Sequence, residues 1–144
     1  MKNRVVARVA WTLWALLLAF GPALLTADEL KIDPDRYGAL VYSPKTGKYG
    51  YSWNHPNRSA AERAALAECK EADAKVVTWV KFGWAVLVIA EDKGYGYDEV
   101  HGAGVTDADA ERAAMKKLRE NTQSKVKTVV IICSGDVKPR VIEK

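Results

Sequence analysis

The residue types able to do chemistry are few and scattered along this chain. Tyr97-Asp98-Glu99-Val100-His101 holds its acid–histidine cluster, and the other of its two histidines stands in Asn54-His55. Two imidazoles with one carboxylate form a ligand set for zinc, and a carboxylate beside a histidine is the pairing a general base uses. His55, Asp98, Glu99 and His101 thus frame one expectation, a small exported hydrolase or metal-dependent enzyme. A thiol nucleophile would draw on Cys69 or Cys133. Cys69 falls on the apolar face of a predicted helix and Cys133 ends a predicted strand, placements that suit structural thiols. No catalytic residue, metal ligand or cofactor is therefore assigned. His101-Gly102-Ala103-Gly104-Val105-Thr106 leads into a helix and offers backbone N–H groups to an anion, without the lysine or third spaced glycine of a phosphate loop.

A second chemistry is carried by aromatic rings. Tyr49, Tyr51 and Trp53 alternate along one predicted strand, and Tyr95 and Tyr97 along another, so each set lies on one face of its strand. One reading is a binding platform, because a row of Tyr and Trp stacks on sugar rings or bases. The other packs these rings under helices and turns Gly50, Ser52, Gly96 and Asp98 to solvent. With His55 and His101, the five aromatics make the candidate binding set.

The elements that position these residues occur twice. Ala60-Ala61-Glu62-Arg63-Ala64-Ala65-Leu66-Ala67-Glu68-Cys69 aligns without a gap on Asp109 to Leu118, sharing A-E-R-A-A followed by Leu or Met. An aromatic-glycine strand precedes each copy, an apolar run precedes that strand, and a β-branched run follows each helix. Each repeat reads strand, strand, helix, strand, with repeat one at 37–82, repeat two at 84–134 and a tail at 135–144. Ser59 with Glu62 fits a capping box, and Thr106 with Asp109 is a weaker equivalent. Ala61, Ala65, Leu66 and Cys69 share one helix face, matched by Ala110, Ala114, Met115 and Leu118. Lys81-Phe82-Gly83 reads as a tight turn joining neighbouring strands. The expected fold is α+β: both repeats build one mostly antiparallel sheet, with two helices on one face.

The chain has 144 residues and a formal charge of +4. Lys2, Arg4 and Arg8 form a positive n-region, Val9 to Phe20 is apolar, and small residues follow, the pattern of a signal peptide over 1–27 cleaved after Ala23 or Ala27. An uncleaved anchor is the alternative. All 18 acidic residues lie at or after Asp28 and three of the 22 basic ones precede it, so the remainder carries +1. With its cations dispersed among acids, it lacks the clustered charge that nucleic acid requires. The chain is expected in the periplasm or outside the cell, touching a membrane only through its N-terminal segment. Two cysteines in an exported chain are more often paired than not, so a Cys69–Cys133 bridge is expected, contributing about 4 kcal/mol by chain entropy.

Gly38-Ala39-Leu40-Val41-Tyr42-Ser43, Tyr49-Gly50-Tyr51-Ser52, the A-E-R-A-A-L-A-E-C helix ending at Cys69, and Lys75-Val76-Val77-Thr78-Trp79 resemble the bacterial domain of unknown function 4189. The resemblance covers roughly Tyr37 to Ser134. It implies export and a duplicated fold, and it brings no catalytic residues. Family members usually carry further cysteines, where Ala74 and Ser124 or Lys125 stand here. The function expected is an exported, non-enzymatic binding or interaction domain, acting on an envelope or extracellular protein or glycan. The His101, Asp98, Glu99 and His55 enzyme is the alternative.

Overall fold

The computed structural model describes residues 33–142, so the expected signal segment at 1–27 lies outside the described residues. The elements run β1 (Tyr37–Tyr42), β2 (Tyr49–His55), α1 (Arg58–Cys69), β3 (Lys75–Lys81), β4 (Gly83–Ala90), β5 (Tyr95–His101), α2 (Asp107–Arg119), β6 (Val126–Cys133) and β7 (Arg140–Val141). The fold is α+β with antiparallel pairing throughout. The expected single sheet is divided in two, however, with strand orders β2-β1-β3 and β5-β4-β6-β7.

The division follows from where the apolar side chains go. Leu40, Tyr42 and Val80 of the first sheet share one buried cluster with Ala85, Leu87, Val130 and Ile132 of the second. The sheets therefore pack face to face, the arrangement in which two inner faces interdigitate across about 10 Å. On the outer face of the first sheet, Ala39 and Val41 meet Ala61, Ala65 and Cys69 of α1. On the outer face of the second, Val86, Val88 and Ile131 meet Ala110, Ala114 and Leu118 of α2. The helices thus lie on opposite outer faces, not on one, giving four layers: helix, sheet, sheet, helix. Lys81-Phe82-Gly83 joins strands in different sheets. Phe82 takes a left-handed φ of 51°, and a side chain on Gly83 would collide with the Val100 carbonyl.

Small residues bring each helix close to its sheet. A Cβ on Gly50 would overlap the Ala65 carbonyl and sit 2.6 Å from the Cys69 nitrogen, so α1 lies directly on the β2 backbone. Ser52, also beneath α1, donates its hydroxyl to the Ala61 carbonyl at 2.7 Å. In the second half Gly96 faces Leu118 and Ala114, and Asp98 pairs with Lys117 of α2 at 3.0 Å. Gly50, Ser52, Gly96 and Asp98 therefore face helices, not solvent, and the tyrosines face the other way.

Helix starts differ from expectation in one half. α1 begins at Arg58, capped by Asn57, whose side chain accepts from the Ala60 amide at 2.9 Å. Starting there lets Arg58 reach Glu62 at 2.6 Å, so Ser59 and Glu62 form no capping box. α2 does carry one: Thr106 and Asp109 satisfy each other's backbone amides. The expected tail contributes β7, which pairs with β6 through Val141 and Arg140, and Arg140 meets Asp107 at 3.0 Å.

Candidate binding surface on the two edge strands

β2 and β5 each lie at one edge of their sheet, and both carry the alternating rings. β2 packs over β6 while β5 packs under β3, so the two strands occupy opposite flanks of the sandwich. Tyr49 and Tyr51 stack with centroids 6.5 Å apart, and Tyr51 and Trp53 follow at 6.3 Å. All three are half-buried, and Tyr49 and Tyr51 pack against the margin of the inter-sheet core. Tyr95 and Tyr97 also stack at 6.5 Å but remain 37% and 38% exposed. Tyr42 lies 4.6 Å behind Tyr95, fully buried, with its hydroxyl donating to the Lys93 carbonyl at 3.0 Å. Burial raises the Tyr42 phenol above its ordinary pKa, with the neighbouring Tyr95 adding to the effect.

A groove runs beside each ladder. Along β2 it has a volume of about 590 Å³ and is lined by Tyr49, Tyr51, Glu68, Cys69 and, from β7, Val141, with Gly47 and Lys48 at its end. Along β5 it has a volume of about 480 Å³, lined by Tyr95, Gly96, Tyr97, Lys117, Leu118 and Asn121. The gapless helix alignment sets Glu68 against Lys117 and Cys69 against Leu118. The grooves therefore share a scaffold and differ in charge.

The acid–histidine set is not assembled. Alternation along β5 sends Asp98 toward α2 and Glu99 toward the first sheet, where Glu99 accepts from the Thr78 hydroxyl at 2.7 Å. His101 is exposed, with Nδ1 2.8 Å from the Lys81 carbonyl, and His55 ends β2 on the opposite flank. No group of three or more His, Cys, Asp or Glu side chains able to hold a metal occurs among the described residues. The helix start beyond Gly104 is already supplied with anions, since Asp107 and Asp109 occupy the first turn of α2. Hydrogen bonding from Thr106 holds the Asp109 carboxyl below its usual range, so that end is occupied by the chain itself.

The expected Cys69–Cys133 bridge is corrected by the layering. Cys69, the last residue of α1, is buried on the outer face of the first sheet and Cys133 of β6 under α2 on the outer face of the second, so both sheets stand between them. Bridging requires Cα atoms within about 7 Å. Cys69 donates to the Lys48 carbonyl at 3.8 Å and Cys133 to the Gly135 carbonyl at 3.6 Å. Burial pushes both thiols up, which disfavours the reactive thiolate.

Among the described residues neither thiol lies beside a histidine, since both are buried between helix and sheet while His55 and His101 end the edge strands. No helix among the described residues is long and apolar enough to cross a membrane. Among curated proteins, Protein Rv1269c and Protein MT1307 of Mycobacterium tuberculosis and Protein Mb1300c of Mycobacterium bovis are each 40% identical over 84 residues. That stretch is 58% of this chain and 62% of each relative, so the match spans less than two thirds of their length. No solved structure gives a significant match. Residues 37–133, which hold β1 to β6 and both helices, match the family described as Domain of unknown function (DUF4189), and the chain belongs to that family.

Proposed function

We propose that this chain is an exported, non-enzymatic binding module that contacts an envelope or extracellular partner through its tyrosine-bearing flanks. The observation that carries the reading is the stacked Tyr95–Tyr97 pair, more than a third exposed beside a groove with Lys117 and Asn121 on its wall. Aromatic rings beside a few polar groups are what recognition surfaces present, because they bury large area at low entropic cost. The signal-like N-terminus supports export, and the matching element orders of the halves support descent from one duplicated unit. Two experiments test the reading. Fusing residues 1–27 to a phosphatase active only outside the cytoplasm should give activity, and an inactive fusion contradicts export. Immobilised protein should retain envelope material that a Tyr95→Ala/Tyr97→Ala variant releases; equal retention by both contradicts the aromatic surface.

A further inference from the structure

Each sheet edge in this fold is managed differently. β7 ends one side of the second sheet after two residues. β3, at the other edge of the first sheet from β2, is bounded by exposed Lys75 and Lys81, the charged ends that discourage further pairing. β2 is irregular, with a register shift opposite its C-terminal half and Asn54 at a left-handed φ of 56°. β5 is neither short nor irregular, and its two carboxylates are engaged by the chain itself, Asp98 by Lys117 of α2 and Glu99 by the Thr78 hydroxyl. It pairs with β4 from Gly83↔His101 to Ile89↔Tyr95 without a shift, over seven residues, and contains no proline.

The direction of its backbone groups follows from that regular register. Ala90 donates to the Gly94 carbonyl at 2.7 Å and Gly102 to the Phe82 carbonyl at 2.8 Å, so both ends of the hairpin place even-numbered residues toward β4. By the two-residue alternation of an antiparallel ladder, the N–H and C=O of Tyr95, Tyr97 and Glu99 point away from β4. No strand pairs with β5 on that side among the described residues. The Glu99 amide is engaged by the Asp98 carboxylate at 3.0 Å, as an outward amide allows. The groove lined by Tyr95, Gly96, Tyr97, Lys117, Leu118 and Asn121 follows this same edge, between the strand and the side of α2.

We infer that β5 binds an extended peptide segment of a partner protein by strand addition, the segment hydrogen-bonding to the outward groups of Tyr95 and Tyr97. The inference rests on the binding reading above and names its ligand class. A strand is the occupant that matches a row of alternating donors and acceptors, and its side chains would alternate between the tyrosines and α2. Positions 95–99 span about 14 Å, room for about five residues. Lys117 is the charged side chain of the groove and already pairs with Asp98 of β5 at 3.0 Å, so the side facing α2 is charge-balanced and suits neutral side chains of the segment.

The probe is a displayed library of random heptapeptides selected on the purified full chain. Enriched peptides should be rich in β-branched residues. Tyr97→Ala removes the ring, whereas Tyr97→Pro removes both ring and outward N–H while leaving the pairing to β4 intact. Strand addition predicts a loss of about threefold for the first and tenfold or more for the second. N-methylating alternate peptide amides, which needs no change in the protein, should abolish binding in one register and spare it in the other. Equal losses in the two Tyr97 variants, indifference to N-methylation in both registers, or no enriched peptide would overturn the inference. If envelope material is nonetheless retained through Tyr95 and Tyr97, the strand inference falls and the binding reading stands, with ring stacking on a glycan as its form.

Discussion

The two halves place the same parts in the same order and finish them differently. In each, a central strand is flanked by an aromatic edge strand and by the strand that follows the helix. Even the irregularities correspond, since β1 slips against β3 between Leu40 and Val41 and β4 slips against β6 between Leu87 and Val88. The first half closes its aromatic flank: its rings are half-buried, Val141 lines the groove, and Glu68 stands on its helix wall with Lys48 at its end. The second half leaves its flank open, with Lys117 where Glu68 stands and no β7 alongside. A scaffold set by glycine and alanine contacts tolerates this divergence because those contacts lie beneath the helices, away from the tyrosines.

The largest effect expected from breaking the comparison is at the glycines. Gly50→Ala drives a methyl into α1 backbone atoms, which have no rotamer to escape into, and should cost about 3 kcal/mol or more in chemical denaturation. Gly96→Ala meets the Leu118 Cβ at 2.9 Å and the Ala114 carbonyl at 3.2 Å, a milder overlap expected to cost about 1–2 kcal/mol. Equal costs would mean that the helices do not sit at different heights on their sheets. Next come the residues that fill the same helical position. Leu118→Ala should cost about 2–4 kcal/mol, Cys69→Ala about 1 kcal/mol, and neither variant nor wild type should lose stability when reductant is added. A drop of several kcal/mol on reduction would restore the rejected disulfide.

The caps rank lower. Asn57→Ala and Thr106→Ala should each cost about 1 kcal/mol, read as a shift in denaturant midpoint at constant slope. The second differs in its pH dependence. Because the folded-state pKa of Asp109 is depressed, its contribution is present above the ordinary aspartate pKa and is lost as pH falls through the lower folded value. The wild type should therefore lose stability in that acid window more steeply than Asp109→Asn, and parallel curves would remove the capping box from the account. Tyr97→Ala should change stability least, by under about 1 kcal/mol, since the ring keeps more than a third of its surface in water.

Much of this layout was legible in the residues, and the losses have physical causes. The A-E-R-A-A helices and their small faces were plain from spacing, and Ala61, Ala65, Ala110 and Ala114 are all buried as read. Leu66, placed on the same face, is 38% exposed because it flanks the contact. Alternation put the rings on one face and the glycines on the other but could not say which face receives a helix. The signal was present: an alanine-lined helix needs glycine opposite it to approach a strand, and Gly50 and Gly96 supply it. Lys81-Phe82-Gly83 looked like a hairpin because short connections usually join neighbours. It changes sheets instead, as the strand orders show, with Phe82 left-handed at the crossing. The bridge between Cys69 and Cys133 failed for the same reason, since one sheet could place both thiols on a shared face and two sheets separate them. The aromatic flanks were singled out from sequence, whereas the difference between a closed and an open edge depends on β7 and on strand order.

The open edge is the central claim, and amide hydrogen exchange of the isolated protein followed residue by residue by NMR tests it most directly. The account predicts fast exchange at Tyr97, whose amide points away from β4, between protected amides at Gly96 and Asp98. Protection of Tyr97 equal to that of its two neighbours would mean the edge is already covered, and would contradict the account.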